Sequence, residues 1–140
     1  AAREAGAKIR SNVETFISEC VASLREQTAT LCEEMLQSIN SGKTDGVHQK
    51  TLNRLANFIS QFKQLNFAND TVMEEQLEVV RRELLSRSAA EYRDSQSAQR
   101  KLKQGLTALA DKARELARED TSELVQNFGQ LGRRRFNLAA

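Results

Sequence analysis

Residues 86–99 read SRSAAEYRDSQSAQ, and whether they carry a helix through or interrupt it decides the fold. Upstream, Met73, Leu77, Val80, Leu84 and Leu85 recur at helical spacing, and downstream Leu102, Leu106, Leu109, Ala113 and Leu116 do the same. Leu84 and Leu102 stand eighteen residues apart, five turns of an α-helix, so the two halves are in phase. The stretch between them is polar and rich in small residues. Three readings compete: the solvent-facing centre of one long helix, a close helix crossing at the small residues, or a break near Asp94-Ser95-Gln96-Ser97. Neither proline nor glycine is present to force the break, which favours continuity. The expectation is one helix over about 71–119, nearly fifty residues long.

Working outward, the rest of the 140 residues reads as helix as well. There is no proline or tryptophan, one tyrosine and only six glycines, too few turn residues for a sheet protein. Ahead of the third segment, Asn69, Asp70 or Thr71 can cap, and Thr71 with Glu74 three positions on fits a capping box. A first helix is expected from about Ala2 to Ile39. Its apolar residues Ile9, Val13, Phe16, Ile17, Cys20, Val21, Leu24, Leu31, Met35 and Ile39 step by threes and fours, and Arg25 falls with the polar residues. Asn40-Ser41-Gly42 supplies the chemistry of a helix end. A second helix, about Val47 to Leu65, carries Leu52, Leu55, Phe58, Ile59, Phe62 and Leu65 on one stripe. A short final helix opens at the capping arrangement Asp120 to Glu123, with Leu124, Val125, Phe128 and Leu131 on one face.

The fold class that follows is all-α: an antiparallel bundle of four or five helices with coiled-coil-like packing. One or two of the helices are long enough to project beyond the shared core. Residues 1–132 form one helical-bundle domain, and residues 133–140 a basic, mobile C-terminal tail. The expected core is Phe16, Cys20, Leu24, Leu31, Leu55, Phe58, Ile59, Phe62, Leu77, Val80, Leu84, Leu106, Leu109, Leu124 and Phe128. Because the chain begins at Ala1 rather than methionine, it is read as part of a larger protein or assembly.

Few residue patterns carry chemistry. Gly42-Lys43-Thr44 resembles the end of a phosphate-binding loop, but that loop requires a glycine at position 37, where Gln37 stands. It also follows a helix instead of a buried strand, and Asp45 would sit beside the phosphate. A helix–helix loop is the expected reading. His48 is the only histidine and has no acid or thiol at ligand spacing, so it reads as a surface residue and no metal is expected. Cys20 and Cys32 lie twelve residues apart on one helix, roughly 18 Å, beyond the reach of a disulfide. They read as small core residues in a reduced, cytoplasmic setting. Glu33-Glu34 and Glu74-Glu75 are adjacent and point about 100° apart, so neither makes a carboxylate pair. No catalytic residue, cofactor or enzyme activity is expected, and no apolar run is long enough for a membrane span.

The charge balance, 21 basic against 19 acidic residues, offers no strong overall field. The last forty residues are the exception, with Lys101, Lys103, Lys112, Arg114, Arg118, Arg133, Arg134 and Arg135 against five acids. Lys101, Lys103, Lys112 and Arg133 to Arg135 are therefore the candidate contacts for salt-sensitive, non-specific nucleic-acid binding. The competing reading of the same charges is ion pairing along a helix surface, Asp111 and Glu115 facing Arg114 and Arg118. Long amphipathic helices favour a different function: a non-enzymatic interaction or oligomerisation module whose apolar faces bind a protein partner or a second copy. Nucleic-acid binding through the basic C-terminal segment is the alternative.

Overall fold

The computed structural model describes residues 2–41 and 46–129. Both the Gly42-Lys43-Thr44 stretch and Arg133, Arg134 and Arg135, with the rest of the 133–140 tail, lie outside them. The architecture is an all-α bundle with antiparallel neighbours: α1 (Ala2–Ser41), α2 (Gln49–Leu65), α3 (Thr71–Leu84), α4 (Ala89–Arg93), α5 (Gln96–Ala117) and a last helix, α6, over residues 122–129. No strand occurs among the described residues.

At 40 residues, α1 is the spine, roughly 60 Å long. It packs most extensively along α5, which in turn carries α3 and α4, while α2 packs on α3 and touches α1 only sparingly. The main core gathers Cys32, Met35 and Ile39 of α1 with Leu52, Leu55, Ile59 and Phe62 of α2, Met73, Leu77, Val80 and Leu84 of α3, and Leu102, Leu106, Leu109, Ala113 and Leu116 of α5. A smaller cluster nearer the N-terminus joins Ile17 and Val21 of α1 to Ala68 and Val125, with Leu124 and Phe128 packed against it. Phe128 also meets Phe67 edge-to-face, ring centroids 5.8 Å apart.

Continuity through 86–99 does not hold, and the reason is local. Ser88 adopts an extended backbone and its hydroxyl accepts the Glu91 N–H at 3.2 Å, capping α4. Ser95 does the same for α5, accepting the Ala98 N–H at 3.2 Å. Two serine caps thus break the helix without proline or glycine. The segment then folds back, so α3 and α5 pack side by side instead of running end to end. Tyr92, only 1% exposed, fixes the corner: its hydroxyl donates to the Leu84 carbonyl at the end of α3. Gln99 Nε2 donates to the Tyr92 carbonyl at 3.0 Å, and Gln49 of α2 accepts the Ala89 N–H at 2.9 Å. Where α3 crosses α5 the approach is close, because a Cβ on Gly105 would lie 2.5 Å from Leu84 Cδ1.

Other expectations divide. The cap of α3 is Asp70, whose carboxylate accepts the Met73 N–H at 3.3 Å. The expected core residues are buried or packed against the core with two exceptions: Phe16 is 60% exposed, and Cys20 is half-buried and joins neither cluster. The face that α1 turns inward is centred on Ile17, Val21, Thr28, Cys32, Met35 and Ile39, and Phe16 lies outside it. Arg25, assigned to solvent, is instead buried on that inner face.

Candidate interaction surface

The N-terminal part of α1 runs past the main core. Residues 8–16 are all exposed, and among them Ile9 (65%), Val13 (47%) and Phe16 (60%) are large apolar side chains. Helical geometry places these three and the half-buried Cys20 on one stripe, with Lys8 and Glu19 to one side of it and Arg10 and Glu14 to the other. The flank with Arg10 and Glu14 is the one α6 faces: Ser18 and Thr121 hydroxyls meet at 2.6 Å, Val125 packs on Ile17 and Val21, and Arg10, Val13 and Glu14 border a cleft with Val125 and Phe128. The α6 start is set by Asp120, whose carboxylate accepts from the Ser122 hydroxyl at 2.5 Å and the Ser122 N–H at 2.9 Å and is thereby held below the usual carboxylate range.

Lower on the molecule, α1 and α2 diverge around an open groove of about 1070 Å³. Leu31, Met35 and Phe58 form its floor, and Gln27, Glu34 and Arg54 are among the polar residues of its walls. Glu34 and Arg54 pair across it at 2.7 Å, both largely exposed. The Ile9–Phe16 stripe lies on the same side of α1 as the groove, so a single uncovered face runs along much of the spine.

What holds the spine in place is a buried clasp. Arg25, 4% exposed, donates from Nε to Asp70 Oδ2 at 2.8 Å and from Nη2 to Asp70 Oδ1 at 3.2 Å, and from Nη1 to the Leu116 carbonyl at 2.7 Å. Asp70, 2% exposed, is also the α3 cap, and its backbone N–H is held by Asn66 Oδ1 at 2.8 Å. The guanidinium thus meets a carboxylate fork-on and the negative C-terminal end of α5. The clasp positions α1 against α5 and the start of α3.

Among the described residues, the three candidate nucleic-acid lysines are not gathered into one patch. Lys101 and Lys103, two residues apart on α5, point about 200° apart. Lys112 is half-buried and lies 3.7 Å from Glu115. The expected pairing along α5 is replaced by a contact across helices: Arg114 grips Glu33 of α1 with two bonds of 2.6 Å. That contact holds Glu33 below the carboxylate range and raises Arg114 further. Cys20 and Cys32 are both free, and burial pushes the Cys32 thiol up to about 12, which leaves it protonated and inert. His48 is exposed at the start of α2, with no side-chain hydrogen bond to that helix end. Among the described residues no group of histidine, cysteine and carboxylate could hold a metal, and no helix is long and apolar enough to cross a membrane. No protein-family model matches the chain, and no curated protein or solved structure shows significant similarity to it.

Proposed function

We propose that this chain is a non-enzymatic helical association module, part of a larger protein or assembly, that binds a helical partner or another copy through apolar helix faces. The supporting observation is the N-terminal part of α1, where Ile9, Val13 and Phe16 form an apolar stripe that stays exposed, with only Val13 bordering α6. A core-facing stripe explains itself by burial, whereas an exposed one at helical spacing is the pattern of a surface that completes itself with a further helix. The reduced thiols fit a cytoplasmic setting for such a module.

Light scattering over a hundredfold concentration range, with and without a short DNA duplex at low salt, tests this reading. The expected result is association that rises with protein concentration and ignores the duplex. A monomer whose mass shifts only with duplex would overturn it in favour of nucleic-acid binding through Lys101, Lys103, Lys112 and Arg133 to Arg135.

A further inference from the structure

Granting that the chain associates through a helix face, the charges beside the α1 stripe identify both the partner and its direction. We infer that the partner is a second copy of this chain, with the two α1 segments antiparallel and their two-fold axis near Val13.

The flanks of the stripe carry the argument. Lys8 and Glu19 lie on the flank turned away from α6 and Arg10 and Glu14 on the flank that α6 faces, about 90–130° from the stripe centre, and all four are exposed. In an antiparallel pair each flank faces the same flank of the other copy. An axis near Val13 then brings Lys8 to the height of Glu19 of the second copy, within about 2 Å along the axis, and Arg10 to within about 3 Å of the height of Glu14. Lys8 and Glu19 are of opposite sign, and symmetry makes that pair twice. On the other flank the two Glu14 residues come as close in height to each other as to Arg10. A parallel pair sets opposite flanks together, so Arg10 meets Lys8 and Glu14 approaches Glu19, like against like. The Lys8–Glu19 flank is thus electrostatically self-complementary in the antiparallel arrangement and not in the parallel one.

The same axis stacks the apolar residues. Phe16 of one copy reaches the height of Ile9 of the other, and the two Val13 side chains meet at the centre. This closes as a symmetric dimer, the commonest oligomer, and leaves no stripe uncovered to propagate a chain. A segment this short buries less than the roughly 800 Å² per partner of a standard interface, so the pair belongs to the weak, reversible class.

Cys20 makes the direction readable. It lies on the stripe, seven residues from Val13. In the antiparallel pair the two Cys20 residues are roughly 20 Å apart along the axis, whereas a parallel pair would place them side by side. The test uses the full chain at 100 µM under mild oxidation, alongside a Val13→Cys variant made in a Cys20→Ser background. Expected are a cross-linked dimer from Val13→Cys and none from the native Cys20. Lys8→Glu should weaken dimerisation about tenfold, and adding Glu19→Lys should restore it. Phe16→Asp should weaken it about thirtyfold or more. All of these positions except Cys20 are exposed in the single chain, so their substitution leaves the fold standing.

Cross-linking through native Cys20, or tighter association of Lys8→Glu, would show a parallel pair and overturn the inference while leaving the association reading intact. A dimer indifferent to Phe16→Asp would overturn it in the same way, because another face would then be responsible. A chain that stays monomeric at 100 µM would overturn it outright.

Discussion

Arg25 sits where a charge is most expensive, and its three hydrogen bonds are what make the position tolerable. Arg25→Ala would leave the buried Asp70 carboxyl without its guanidinium partner and the Leu116 carbonyl with the Glu119 N–H as its remaining donor. The expected loss is about 3–5 kcal/mol, seen as a lower urea midpoint at an unchanged slope. Arg25→Lys should recover only part of it, because an ammonium cannot grip both carboxylate oxygens and the carbonyl in the same fork. Position 25 was legible in one sense. The series 17, 21, 25, 28, 32, 35, 39 is an unbroken run of threes and fours, and only the charge on Arg25 argued for solvent. Its partner was not legible, since nothing in the order of residues says that a helix cap forty-five positions later turns its carboxylate inward. Phe16 is the converse case. Its apolar character argued for the core, but it lies on the uncovered side of α1.

At the level of elements, the corner between α3 and α5 shows how little is needed to end a helix. The apolar residues on either side of 86–99 were read correctly as core, and their phase agreement was real, but phase does not distinguish two collinear halves from two that fold back. Ser88 and Ser95 decided the matter through their caps, and serine in a polar stretch is an ambiguous signal until its backbone conformation is known. Ser95→Ala is expected to lower stability by about 1 kcal/mol in chemical denaturation. Ser60→Ala, on the exposed face of α2, should stay within about 0.5 kcal/mol of the parent. Equal effects at the two positions would mean that the cap contributes nothing. The boundaries of α1 and α2 were more readable because an asparagine and glycine cluster separates them and each carries its own stripe. The stripe that serves as the candidate surface was visible too, though only the fold shows which of its members are left uncovered.

Across the whole molecule, the helices are tied together at the surface by carboxylates. Glu33 is held below the ordinary range by the Arg114 hydrogen bonds, and Glu78 by Lys63 first and then by Arg81. Asp120 is lowered by its bonds to Ser122. Each therefore binds a proton less readily folded than unfolded, so acid favours the unfolded chain. The stability these groups supply is present at neutral pH, above their ordinary values of 4.5 for the glutamates and 3.8 for the aspartate, and is lost as pH falls through the lowered folded values. Thermal melts from pH 6 to pH 2 should show the melting temperature dropping, with a shallower drop for Glu33→Gln. Because these pairs are exposed, salt should blunt the difference.

The clasp also bears on the order in which the chain assembles. It joins residue 25 to residues 70 and 116, separations of 45 and 91 positions, so it closes long loops in the bundle. A guanidinium gains from leaving water only once both of its acceptors are in place, which sets this contact after the local helical pairings in time. Removing it should leave the refolding rate nearly unchanged and speed unfolding by roughly two to three and a half powers of ten. A latch that closes last governs how long the fold survives, not how quickly it forms.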